Sequence, residues 1–353
     1  MDTLTHALSG ALLGRATAPT VARPEDPPHW QRISLCAVAA AFPDSDFFVS
    51  FFSPFAYLLH HRGATHSLLL MPLWAVLLAF LAAWCFRQPR AWRAYVGVSA
   101  LGIVAHIAGD LITNYGTMIL APFSDRRFAW GTTFIIDLRF SGIIIAGLLA
   151  SLLWKRSRLP AIVASLVLVS YVCLQAVWQS QAVEFGERYA REKALPHVKV
   201  TAQPGAVSPL NWMVVVENQG SYRYAFVNLM RKEIIDDPGS DGGFFARLDA
   251  PYHPPGAAIW HKAALLGSVP EDAGLAREVW MSREMGFFRW FAQYPSLISV
   301  ERDKDSECAW FQDLRFVRPG TQINPFRFGL CRNGQGAWQR FRLGSDGERL
   351  TFD

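Results

Sequence analysis

The chain has 353 residues, 51% hydrophobic and 18% charged, with 13 Trp and 25 Phe, which is too apolar for a wholly soluble protein of this size. Its net charge of +5 comes entirely from residues 1–178, which hold 13 Lys and Arg against 8 Asp and Glu, while residues 179–353 hold 21 of each. That split is a membrane-topology signal rather than the basic footprint of a nucleic-acid binder, and no nucleic-acid partner is expected.

In chain order, the start Met1-Asp2-Thr3-Leu4-Thr5-His6 lacks a basic leader, and its apolar stretch soon reaches Arg15. It does not read as a cleaved signal peptide, so His6 is expected to stay in the mature protein. Leu4 to Gly14 and Ile33 to Phe42 are short apolar pieces, the second stopped by Pro43 and two aspartates, and both read as partial or tilted helices. Leu68 to Phe86 is 19 residues without a charge and Leu159 to Trp178 is 20, each long enough to cross about 30 Å of hydrocarbon at about 1.5 Å per residue. Ala94 to Leu120 is equally apolar except for His106 and Asp110, and Ser141 to Trp154 is a shorter span.

Basic residues orient these spans. Arg15, Arg23, Arg32, Arg87, Arg90, Arg93, Lys155, Arg156 and Arg158 fall in one alternating set of loops, against Arg62, Arg126, Arg127 and Arg139 in the other. The positive-inside rule puts the first set in the cytoplasm. Alternation then carries His6, Asp44-Ser45-Asp46, His60 to His66 and the Asp110 end of its helix to the outer face.

After Trp178 the chain is charge-balanced and rich in Pro and Gly. Trp212 to Val216, Tyr222 to Leu229, Trp310 to Phe316 and Trp338 to Leu343 read as strands, and Asp272 to Ala292 as one amphipathic helix. The expected architecture is an α-helical polytopic membrane bundle over 1–180 that carries the site, followed by a smaller α+β extracytoplasmic domain over 185–353. The five Cys include no C-x-x-C, so no zinc-thiolate site is on offer. Cys308 and Cys331, in an oxidising compartment, would form a disulfide or remain two buried thiols.

His106-Ile107-Ala108-Gly109-Asp110 puts an imidazole and a carboxylate on one helix face inside an apolar span. An unpartnered aspartate there costs about 2.5–3.5 kcal/mol, so the pair reads either as metal ligands or as a hydrogen-bonded tie between helices. His60-His61-Arg62-Gly63-Ala64-Thr65-His66 holds three of the nine histidines. Adjacent His60 and His61 do not readily serve one ion, which favours His61 and His66 as ligands, with Arg62 free to grip an anionic group; a polar headgroup-level loop is the plainer reading. Asp44-Ser45-Asp46 follows a proline at a helix end, where a carboxylate can turn inward to bridge ions or act as a base, or merely cap a turn. His6 draws its weight from topology alone. Asn114 to Thr117 and Leu120 to Ser124 read as pocket-shaping loops or ordinary turns. Oxygen and imidazole ligands without thiolate suit zinc, or manganese, in a hydrolytic site, and the number of candidates admits two ions.

Thr5-His6 with Gly10, Pro43-Asp44-Ser45-Asp46, His61 to Ser67, His106 to Asp110 and Asn114-Tyr115-Gly116-Thr117, in this order, closely resemble the YdjM-like family of membrane-bound metal-dependent hydrolases. The resemblance covers about residues 1–180, and Pro209-Leu210-Asn211-Trp212 looks like the outer domain many members carry. It implies a bacterial inner-membrane location. A more distant similarity, to zinc-dependent phospholipase C and related single-strand nucleases, would make His6, Asp44 or Asp46, His66, His106 and Asp110 ligands. No later His-x-x-x-Glu pair follows here, so a three-metal cluster is not implied. The expected function is hydrolysis of a phosphoester in a lipid or lipid-linked substrate at the outer leaflet. Asp44 or Asp46 would bridge or act as base and Arg62 would hold phosphate. The rivals are an ion-handling transporter using the His/Asp groups as a relay, and a non-catalytic scaffold stabilised by the cluster.

Overall fold

The computed structural model describes residues 1–20, 26–239, 242–303, 306–319, 324–334, 336–344 and 346–352; Arg23 of the orientation argument lies outside them. The chain divides into two compact units of nearly equal length, Met1–Val177 and Trp178–Asp353.

The first unit is helical: α1 (Thr3–Ala16), α2 (His29–Ala41), α3 (Pro54–His60), α4 (Met71–Cys85), α5 (Trp92–Leu111), α6 (Leu138–Leu153) and the start of α7 (Leu159–Glu192). Among the described residues three helical stretches, His29–Phe51, Pro89–Leu111 and Leu159–Glu192, are long and apolar enough to cross a membrane, and a fourth is if Pro54–His66 and Met71–Cys85, bent by 79°, act as one span.

Several expectations about helix ends need correction. The α-helix of the second apolar piece does end at Ala41, ahead of Pro43, but the chain goes on as a 3-10 helix, Phe42–Phe51, because a proline near a helix start gives up an amide that has no intrahelical partner anyway. The 19-residue run from Leu68 yields a helix only from Met71, because the Ser67 hydroxyl accepts the amides of Leu69 and Leu70 and folds them into a turn. The run to Leu120 outlasts α5, which ends at Leu111.

Small residues bring the helices close. A Cβ on Gly10 would lie 2.3 Å from the Cys36 carbonyl oxygen, and one on Gly102 would lie 2.5 Å from that same atom. Both α1 and α5 therefore press directly on the α2 backbone, as expected where helix association relies on packing rather than water expulsion. At one end of this bundle the Arg15 guanidinium donates to the Lys155 and Ser157 carbonyls, Arg158 donates to Ala18, and Arg32 donates to Gly14.

The second unit is built of strands β1 (Lys199–Pro204), β2 (Asn211–Asn218), β3 (Ser221–Asn228), helix α8 (Phe244–Asp249), β4 (His261–Ala264), α9 (Pro270–Met281), α10 (Gly286–Phe291), β5 (Pro295–Arg302), β6 (Ser306–Asp313), β7 (Arg327–Asn333), β8 (Gln339–Leu343) and β9 (Arg349–Thr351). They form two antiparallel sheets in sequential order, β1-β2-β3-β4 and β5-β6-β7-β8-β9. The last turns of α7 cover the first sheet, with Ala182 packed among Trp212, Val214 and Ala225. The single helix expected over 272–292 is two: Ser282 leaves the helical conformation, and its hydroxyl accepts the Met285 amide ahead of α10. The strand expected to reach Phe316 ends at Asp313, whose carboxylate accepts the Arg315 amide and starts a tight turn. Cys308 and Cys331 face each other across β6 and β7 and are joined as a disulfide.

Candidate metal centre

Four side chains from three segments converge in the helical unit. Asp44 comes from the 3-10 extension of α2, His66 from the short turn after α3, and His106 and Asp110 from one face of α5. Each offers one ligand atom, and these atoms all lie within 4.8 Å of one another. His66 Nε2 and His106 Nε2 are 2.9 Å apart, and Asp110 Oδ2 is 3.3 and 3.5 Å from them. Asp44 Oδ1 is 3.8 and 3.6 Å from the same two nitrogens. Tetrahedral ligands about 2.0–2.1 Å from a common centre stand about 3.3–3.4 Å from each other, so the spacing brackets that of a single ion.

The protonation pattern supports the same conclusion. His106 Nδ1 is 2.6 Å from the Ala40 carbonyl, which only accepts, so the ring proton sits on Nδ1 and Nε2 presents its lone pair to the cluster. His66 Nδ1 meets the Thr65 hydroxyl at 3.0 Å and the Asp46 carboxylate at 3.6 Å, which turns its Nε2 inward as well. Asp110 Oδ2 is buried with no hydrogen-bond partner. Oδ1 of the same carboxylate is crowded: the Met1 amino group at 2.5 Å, Arg62 at 2.9 Å and His6 Nε2 at 3.1 Å all converge on it. Two imidazole Nε2 atoms and a buried carboxylate oxygen meeting at one point form a donor set that fits a divalent cation.

A family model, the YdjM inner membrane protein, matches residues 1–182, just over half the chain. The chain belongs to the YdjM inner membrane protein family. All four converging residues fall inside the matched segment. Over 183 residues the chain is 26% identical to the uncharacterized protein YfhP of Bacillus subtilis (strain 168), which covers 51% of this chain and 55% of that protein. The chain thus spans about half the length of this curated relative. No solved structure matches.

The remaining candidates lie around the four. His6 stacks on His106 with ring centroids 3.7 Å apart and reaches Asp110 Oδ1; Gly109 leaves room for it, since a Cβ there would meet the His6 ring at 3.1 Å. His61 Nδ1 pairs with Asp46 Oδ1 at 3.0 Å, and Asp46 Oδ2 also accepts the Arg62 amide at 2.9 Å. Asp46 therefore orients His61 and His66 from behind. Arg62, only 2% exposed, directs its guanidinium at Asp110 and the Thr113 hydroxyl, and its backbone adopts a left-handed φ of 61°. Its guanidinium braces a ligand instead of standing free for an anion.

Three further parts of this network are not legible as a motif. The Ala40 carbonyl belongs to the backbone. Thr3, which donates to Asp44 Oδ2 at 2.6 Å, is an ordinary N-terminal residue by sequence. Arg127, which donates to the Leu58, His61 and Gly116 carbonyls, enters the sequence reading only as a loop charge. Asn114 to Thr117 does shape the surroundings: Tyr115 is edge-on to His61 and lies under both Arg62 and Arg127.

Proposed function

We propose that this YdjM-family protein is a metal-dependent hydrolase at the outer face of the inner membrane, cleaving a phosphoester of a lipid or lipid-linked substrate. The reading rests on one observation: the facing Nε2 atoms of His66 and His106, with a fully buried Asp110 oxygen 3.3 and 3.5 Å from them. His66, His106 and Asp110 would hold the ion, zinc being the metal that this donor set and spacing suit best. A divalent ion there supplies a Lewis acid that polarises a phosphoryl oxygen and makes water acidic near neutral pH. Asp44 has the role of base. Its side chain is 14% exposed where the other three are at 0%, so it stands at the mouth, and Thr3 fixes its Oδ2 and leaves Oδ1 to accept a proton from water. The four-atom cluster favours one ion over two, with His6 and His61 as supporting residues.

The orientation draws support from two features. The basic Arg15 and Arg158 contacts lie at the far ends of the helices from the cluster. The Cys308–Cys331 disulfide suits an oxidising compartment for the second unit.

The test is elemental analysis of the purified full-length protein. About one ion per chain is expected for the wild type, with background levels in His106→Ala and Asp110→Asn. Asp44→Asn is expected to keep the ion while losing about 100-fold or more of the activity on phosphatidic acid vesicles. Undiminished metal in both ligand variants rules the centre out. Bound metal without turnover on any phosphoester leaves an ion that only braces the bundle.

A further inference from the structure

The 3-10 helix that carries Asp44 also carries Phe47, Phe48 and Phe51 and is capped by Phe52, and these four rings are exposed by 52, 66, 70 and 91%. Residues three apart eclipse one another in a 3-10 helix, so Phe47 stands one turn along the same face as Asp44. From there a line of ring contacts runs inward. Phe51 meets Phe47 at 5.3 Å, Phe47 meets Tyr57 at 6.1 Å, Tyr57 meets His61 at 4.6 Å, and His61 meets His66 at 6.1 Å. Asp44, the least buried of the four converging residues, thus opens beside an apolar aromatic track that is continuous with the centre. Leu4, 68% exposed, flanks Thr3 at that mouth. Such a rim repels a free phosphate or a sugar phosphate and matches a hydrocarbon chain.

We propose that this track is the entrance for the substrate's hydrocarbon chain. A single-chain or acyl-bearing phosphoester would enter sideways from the bilayer, with its chain along Phe51, Phe47 and Tyr57 and its phosphate at the Asp44 edge. The phosphate end of this proposal rests on the hydrolase reading; the chain end rests on the rings alone.

The experiment uses full-length protein in phosphatidylcholine nanodiscs with octadecyl phosphate carrying a terminal diazirine, and adducts are mapped by mass spectrometry after irradiation. Labelling is expected to concentrate in residues 44–61 and to withstand excess inorganic phosphate. It should fall by roughly tenfold in Phe47→Ser/Phe51→Ser, the change that about 1.4 kcal/mol of lost ring burial produces. Phe47→Tyr/Phe51→Tyr should retain it, and Leu166→Ser/Val169→Ser, at exposed positions on α7, should leave it unchanged. Equal labelling in the Phe47→Ser/Phe51→Ser protein, or displacement by inorganic phosphate alone, overturns the proposal. Metal content is read on the same samples. Ring-dependent labelling of a protein that binds no metal sinks the hydrolase reading and leaves the entrance standing, whereas stoichiometric metal with ring-independent labelling does the reverse.

Discussion

Asp110 in the helical unit and Asp313 in the sheet unit are both fully buried carboxylates, yet their surroundings differ. Asp313 is satisfied at both oxygens by near neighbours: Oδ1 accepts the Arg315 amide at 3.0 Å and the Tyr294 amide at 3.4 Å, and Oδ2 accepts the Gln293 amide at 3.0 Å and Arg315 Nε at 2.8 Å. Asp110 gathers the Met1 amino group, Arg62 and His6 on Oδ1 and leaves Oδ2 bare toward two imidazole lone pairs. A carboxylate saturated by backbone amides and a neighbouring guanidinium is architecture. One whose second oxygen instead faces two imidazoles could hold a cation.

The largest effect that would sharpen this comparison comes from Asp313→Ala, which strands the buried Arg315 guanidinium. It is expected to cost about 3–5 kcal/mol, read as a lowered unfolding midpoint of the sheet unit by Trp fluorescence, with metal content unchanged. A fall in bound metal would break the contrast, because Asp313 would then matter to the centre as Asp110 does. Next comes Cys308→Ser with Cys331→Ser. Opening a loop whose ends are 23 residues apart in sequence should cost about 3 kcal/mol, again in the sheet unit alone and again without loss of metal. The smallest is Gly102→Ala. Its new methyl would meet backbone at 2.5 and 2.9 Å, and overpacking of this kind costs about 1–3 kcal/mol. Because α2 carries the Ala40 carbonyl that holds His106, this variant should also weaken metal binding, measured by competition with a chelator. Unaltered metal affinity would separate the packing of the bundle from the alignment of its ligands.

Particular residues show how much could be read in advance. His106 and Asp110 were legible because a four-residue spacing in a helix aligns them whatever surrounds them, and a charge in an apolar span must be accounted for. Between His61 and His66 the spacing could not decide: the turn at Arg62, with its left-handed backbone, gives His61 to Asp46 and sends His66 to the centre. The same turn commits Arg62 to Asp110. In the sheet unit β2 and β3 form where their apolar runs lie but are buried on both faces, Met213 and Val215 in one cluster and Trp212 and Val214 in another, whereas the run over 272–292 kept helical spacing across a break because its apolar residues serve two helices in turn.

Composition, charge partition and hydrophobic run length alone determined that an apolar helical half precedes a charge-balanced sheet half, since these properties follow from what a segment can bury. They also determined which residue types carry the chemistry. Which histidine faces the centre, that an arginine braces a carboxylate of the cluster, and that a 3-10 helix carries on past the end of α2 were decided only in three dimensions. Those outcomes depend on hydrogen-bond partners 15 to 109 residues away along the chain, and no local pattern records them.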